Sequence, residues 1–181
     1  MSSPDNKRRK ALRSRRQALA LIGSALLAAP LASACQPLYG STPNGARVKD
    51  VMAGIDITEI PGRVGQRLRN ELIFSTTGGG RAGGSVYRLE ISVRESLTKT
   101  LVSTTGDAQG EIYFLEANYK LVSLADNKIV FRGKGVGRAA YDRFNPIFSN
   151  VRARIDAENR AARIVADTIR TGVAGYLSGQ A

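Results

Sequence analysis

The run NVRARIDAENRAARIVADTIRTGVAGYL, residues 150–177, decides the fold. Ile155, Ala162, Val165, Ile169, Val173 and Tyr176 recur on one stripe of a 3.6-residue period, with Arg152, Arg154, Arg160, Arg163, Asp167 and Arg170 largely opposite. Ala157, Ala161, Ala162 and Ala166 raise helix propensity and let the helix approach a neighbour closely. A helix with one apolar stripe has to bury it, and the preceding segments supply the surface.

Those segments alternate with period two. SVYRLEISVRESL (85–97) sets Val86, Arg88 and Glu90 against Tyr87, Leu89, Ile91 and Val93. EIYFLEANYKLVSL (111–124) carries Ile112, Phe114, Tyr119 and Leu121, and KIVFRGKGVGRAAYDRF (128–144) carries Val130, Phe131, Val136 and Tyr141. Residues 125–127, ADN, mark a tight turn between these two. The three strands are long enough to protrude as hairpins beyond the packed area, and Gly133, Gly135 and Gly137 in the last one imply bending or close backbone approach.

Further back, VMAGIDITEI (51–60) reads as a strand with Ile55, Ile57 and Glu59 on one face and Asp56, Thr58 and Ile60 on the other. GRVGQRLRNELIF (62–74) switches to a helical period, with Val64, Leu68 and Leu72 in a row. STTGGGRAGGS (75–85) follows as a glycine-rich loop without the ending of a P-loop. The order is β-α-β-β-β-α, an α+β fold in which two helices pack on one face of a four-stranded mixed or antiparallel sheet.

The chain opens differently. Lys7, Arg8, Arg9, Lys10, Arg13, Arg15 and Arg16 form a basic head, and an apolar stretch from Ala18 to Ala29 is shorter than the roughly 18 residues a membrane span needs. Residues 1–34 therefore read as a signal peptide that is removed. Ala32-Ser33-Ala34 fits ordinary signal cleavage, and the same residues before Cys35, the single cysteine, fit a lipobox whose cysteine becomes the acylated N-terminus. Arg15-Arg16 leaves a twin-arginine route open beside general secretion. The Pro-, Gly-, Ser- and Asn-rich run QPLYGSTPNGARVKD reads as a tether. Residues 35–47 are thus assigned to a lipidated N-terminus and flexible tether, and residues 48–181 to a single domain.

The whole chain has 27 basic and 15 acidic residues, and removing the signal takes away seven basic and one acidic, leaving 20 against 14, a net charge of +6. That is mildly basic, which argues against a nucleic-acid partner and leaves anionic lipid headgroups or phosphorylated glycolipid open. With no histidine, no tryptophan and one cysteine, no catalytic triad or metal-ligand cluster can be assembled, and no cofactor is expected. Glu90, Glu95, Glu111 and Glu116 are the conceivable acid/base residues, but alternating strand positions read more simply as a solvated face, so a non-enzymatic protein is expected.

CQPLYG directly after the signal, IPGRVGQRLRNELIF, YRLEISV and the final helix together resemble the lipopolysaccharide-assembly lipoprotein LptE family in its alphaproteobacterial form. Cys35-Gln36-Pro37 is contracted relative to the family pattern. The resemblance covers essentially the whole mature chain. It implies an outer-membrane, lipid-anchored protein on the periplasmic side, seated partly in the lumen of the β-barrel translocon LptD, which it helps to assemble, and aiding insertion of lipopolysaccharide into the outer leaflet. The alternative is an outer-membrane or periplasmic scaffold or binding lipoprotein without a lipopolysaccharide role. Arg88 and Arg94, Lys120, and Arg132, Lys134 and Arg138, spread over three successive strands, form a candidate basic sheet-edge patch for lipopolysaccharide.

Overall fold

The computed structural model describes residues 40–43, 45–78, 84–102, 108–143 and 147–179, so Cys35 and the signal segment lie outside the described residues. The chain runs α1 (Val48–Ala53), β1 (Ile55–Ile57), α2 (Gly62–Thr77), β2 (Tyr87–Val102), β3 (Ala108–Ser123), β4 (Ile129–Asp142) and α3 (Ile147–Leu177). The sheet is mixed, ordered β1-β2-β3-β4, with β1 parallel to β2 and the other pairs antiparallel. This is the expected α+β layering, and α1 is an addition to it. Among the described residues no helix is long and apolar enough to cross a membrane.

The strands divide by parity. Leu89 and Ile91 of β2, Tyr113, Leu115, Ala117, Tyr119 and Leu121 of β3, and Ala139 and Tyr141 of β4 are buried on the face that the helices cover. Val64, Leu68 and Leu72 of α2 and Ala161, Ala162, Val165, Ala166, Ile169 and Val173 of α3 complete that core. Ile155, placed on the stripe by periodicity, is only half-buried, because the first turns of α3 run past the packed area. Val136 likewise turns away from the core and is exposed.

The glycines of β4 explain how α3 sits. A Cβ on Gly137 would lie 2.3 Å from the Ala161 carbonyl oxygen, so helix and strand backbones are in direct contact there. A Cβ on Gly133 would lie 2.3 Å from the Tyr119 ring, and one on Gly172 of α3 would lie 2.4 Å from its hydroxyl oxygen. The Tyr119 side chain thus occupies space that two missing side chains leave between strand and helix. Phe131 tilts against Tyr119 and stacks on Tyr176 with ring centroids 5.1 Å apart, closing this end of the core.

Several elements depart from the sequence reading. Val48 to Ala53 form a helix instead of the end of a tether and the start of a strand, since Val48 and Met52 are a turn apart and both buried. Just before it the chain closes on itself, the Thr42 amide donating to the Ala46 carbonyl at 2.7 Å and the Val48 amide to the Gly40 carbonyl at 3.1 Å. The first strand shrinks to three residues, and Ile60 is fully buried because it tucks against Gly65, where a Cβ would lie 2.7 Å from the Ile60 side chain. Helix α2 continues to Thr77: Thr76 and Thr77 hydroxyls donate to the Leu72 and Ile73 carbonyls, both at 2.8 Å, before Gly78 ends the helix in the left-handed conformation at φ 62°. The turn between β3 and β4 is as expected, with Asn127 at φ 54° and the Ser123 amide bonded to the Lys128 carbonyl at 2.9 Å.

The helices are tied together by one buried carboxylate. Glu158 of α3 is held by Arg63 of α2 and by Arg154, whose Nε lies 2.9 Å from Oε1. Nearby, the Tyr113 hydroxyl donates to Glu95 at 2.8 Å and the Tyr141 hydroxyl donates to Glu111.

Two predictions follow from this packing. Gly137→Ala forces the Ala161 backbone to move and should cost about 1–3 kcal/mol, whereas Gly135→Ala makes only ordinary contacts, the nearest with a Val165 methyl at 3.4 Å, and should be close to neutral. Thermal melts of the two variants check this, with a drop of roughly 3–10 °C expected for the first alone. Burial, then the bond to Glu111, pushes the Tyr141 phenol up to about 12, and burial, then Glu95, pushes Tyr113 up as well. An unfolded tyrosine titrates near about 10. Above that pH the folded protein keeps protons that the unfolded chain has lost, so stability is full below about pH 10 and falls as pH rises towards about 12. Urea midpoints across that range, with phenolate absorbance followed in parallel, should show the decline. A flat midpoint would contradict it.

Candidate functional site

The even-numbered residues of β2, β3 and β4, from Arg88 to Thr98, Ile112 to Lys120 and Arg132 to Asp142, point to the opposite face of the sheet, which no described helix covers. Arg88 and Arg94, Lys120, and Arg132, Lys134 and Arg138 share that parity. The six candidate cations are therefore brought together, but across the open face and not along a sheet edge. The long antiparallel ladders do this: Glu90, Lys120 and Arg132 are direct cross-strand neighbours, and one pair further along Ser92, Asn118 and Lys134 line up.

The array is partly compensated. Lys120 Nζ lies 2.8 Å from Glu90, Lys134 Nζ lies 2.8 Å from Glu116, and Arg88 Nε lies 3.8 Å from Asp56. The bond from Lys134 holds the Glu116 carboxyl below its ordinary range, and Asn118 and Arg94 act in the same sense. Among the described residues Arg132 and Arg138 make no ion pair, and Arg94 lies opposite Glu116, a carboxylate that Lys134 already holds. Three of the six cations are thus paired with carboxylates, and three guanidinium groups are available to an external anion. Guanidinium forks suit bidentate bonds to phosphate or carboxylate oxygens.

An open groove of about 760 Å³ on this face is lined by the polar residues Thr58, Glu90, Ser92, Asn118, Lys120 and Arg132 together with the apolar Ile91, Tyr119 and Ile129. Thr58, Ser92 and Asn118 were missed in the sequence. Asn118 and Ser92 were legible in principle, because once the strands are paired they fall beside Lys134, but Thr58 reaches the groove only because β1 stops short and its amide and hydroxyl both donate to the Leu89 carbonyl. A smaller cavity of about 340 Å³ lies between Lys49, Met52, Thr76 and Arg170 at the other side of the molecule.

The four candidate acid/base carboxylates do not meet. Glu90 and Glu116 are engaged by lysines on the open face, while Glu95 and Glu111 lie on the helix-covered side and accept from Tyr113 and Tyr141. What the open face can do chemically is bind anions by charge-assisted hydrogen bonds.

No family model matches the chain, and no curated protein matches its sequence. Solved bacterial structures share its fold. A Caulobacter crescentus protein described as a lipoprotein superposes with a TM-score of 0.61 at 21% identity, over 73% of this chain and 96% of that one. Rare lipoprotein B from Shewanella oneidensis gives 0.52 at 10% identity, over 68% and 93%. A minor lipoprotein from Acinetobacter baumannii gives 0.50 at 14% identity, over 69% and 94%. At such identities the likeness is one of fold.

Lys134→Met should raise the Glu116 pKa towards the ordinary carboxylate range, read by carboxyl chemical shifts in a pH titration. Stability should hardly change, because the pair is exposed. An unmoved Glu116 titration would mean that the pair does not form in solution.

Proposed function

We propose that this chain is an outer-membrane lipoprotein of the LptE kind, anchored through Cys35, which helps a β-barrel lipopolysaccharide translocon assemble, occupies part of its lumen and presents an anion-binding face to lipopolysaccharide. The observation that carries the reading is the array of Arg94, Arg132 and Arg138 on the uncovered face of a sheet whose other face is closed by helices. Such an array matches the phosphates of lipid A in charge, and an open groove admits a ligand that is itself extended. Support also comes from the sequence resemblance to the LptE family and from a fold shared with proteins described as bacterial lipoproteins. In this reading the β-barrel LptD is the partner, and the protein sits on the periplasmic side of the outer membrane.

A second reading rests on the ion pairs Lys120–Glu90, Lys134–Glu116 and Arg88–Asp56, which satisfy half of the cations internally. They favour a scaffold lipoprotein whose open face is solvated and has no lipopolysaccharide role.

Two measurements separate these. Affinity capture of the native protein from detergent-solubilised envelope should co-purify a large β-barrel under the first reading and none under the second. Changing Arg94, Arg132 and Arg138 together to Glu should weaken binding of purified lipopolysaccharide at least ten-fold, and the loss should shrink as salt rises, because exposed charges are screened beyond about 8 Å at physiological ionic strength. Circular dichroism checks that the variant stays folded. Wild-type-like binding by the folded triple variant would remove the open face from the function.

A further inference from the structure

The parallel partner of β2 is short, pairing only with Tyr87, Arg88 and Leu89. Beyond that point the outer edge of β2 has no strand beside it among the described residues, and every residue from Arg94 to Thr100 is exposed. The Thr58 amide donates to the Leu89 carbonyl at 3.1 Å, which shows that odd positions of β2 turn their backbone groups outward. The alternation carries on through Ile91, Val93, Glu95 and Leu97 to Lys99, after which the register shifts. A free strand edge of this kind is a ready template for another strand.

The side chains on it are self-complementary. We propose that this edge pairs antiparallel with the same edge of a second copy of the chain, about a two-fold axis at Leu97. Leu97, 42% exposed, then meets its own symmetry mate. Glu95 of each copy falls opposite Lys99 of the other, giving two opposite-charge pairs, and Ser96 falls opposite Thr98. All the outward amides and carbonyls from Glu95 to Lys99 find partners in this register. An axis at Glu95 or at Lys99 would bring like charges together. An axis at Ser92 would match Glu90 to Arg94 but needs the Leu89 carbonyl, which Thr58 occupies. The product is a continuous sheet of two copies with the helix layers on the same side of each β2. Because so few residues meet, the contact belongs to the weak, reversible class, below about 1,000 Å² of buried surface.

The proposal does not depend on the lipopolysaccharide reading, and it is tested with the full chain in a mild non-ionic detergent. Sedimentation equilibrium over about 1–500 μM, a range suited to weak association, should show a monomer–dimer equilibrium for the wild type. Lys99→Glu should weaken it about ten-fold, since two attractive pairs become repulsive, and Glu95→Lys should do the same. The double exchange should return the dissociation constant to near the wild-type value. Circular dichroism controls for folding, in particular because Glu95 is also the acceptor for Tyr113. A wild type that stays monomeric at every concentration, a Lys99→Glu chain that dimerises normally, or a folded double exchange that is not restored would each overturn the proposal.

Discussion

The contact between the Gly137 strand backbone and the Ala161 helix backbone sets the distance between the two layers, and the rest of the core is arranged around that distance. With α3 this close to β4, a ring as large as Tyr119 fits beneath it only by using the empty positions at Gly133 and Gly172. Small residues recur along α3 for the same reason: Ala157, Ala161, Ala162, Ala166 and Ala174 are all buried. The larger side chains Val165, Ile169 and Val173 fill the volume on either side. A close-packed interior tolerates added volume poorly, so this layer spacing cannot be varied without repacking the whole sandwich.

Covering only one face has a chemical result. The uncovered face is largely polar, with cations and carboxylates placed at alternate positions on three neighbouring strands and Ile112, Phe114 and Val136 among them. Cross-strand pairing neutralises some of them and leaves guanidinium groups where β4 borders solvent. At the far end of the core the polar groups are satisfied differently, through Glu158 between Arg63 and Arg154 and through tyrosines donating to Glu95 and Glu111. Hydrogen bonds of this kind let a carboxylate sit close to apolar packing without an unpaired charge.

The long periodic elements were legible in the sequence because one side of each is apolar over many turns or strand repeats, as in residues 150–177 and 85–97. Layer order and helix number on the covered face followed from that. Short elements were not legible: α1 has only Val48 and Met52 to mark its buried side, and β1 keeps strand geometry for three residues before Ile60 is pulled inward by packing against Gly65. The three β4 glycines advertised close approach, but which ones face the helix and which one faces a tyrosine ring depends on the register, which only pairing with β3 reveals. For the site, the six cations were found by residue type and strand parity. Their ion pairs and the contribution of Thr58 were hidden, since both depend on neighbours distant in sequence.

The position of α3 after the whole of the sheet has a consequence for the order of folding. The sheet pairs largely through local hairpins, which close quickly, whereas α2 and α3 meet across nearly the full length of the domain, as Arg63 and Asn159 do at a separation of 96 positions. Until residues 147–177 have arrived, Tyr113, Leu115 and Leu121 lack the cover that α3 gives and the Glu158 carboxylate has not reached Arg63. A growing chain therefore leaves this core open until α3 has been made, and docking of that helix closes it.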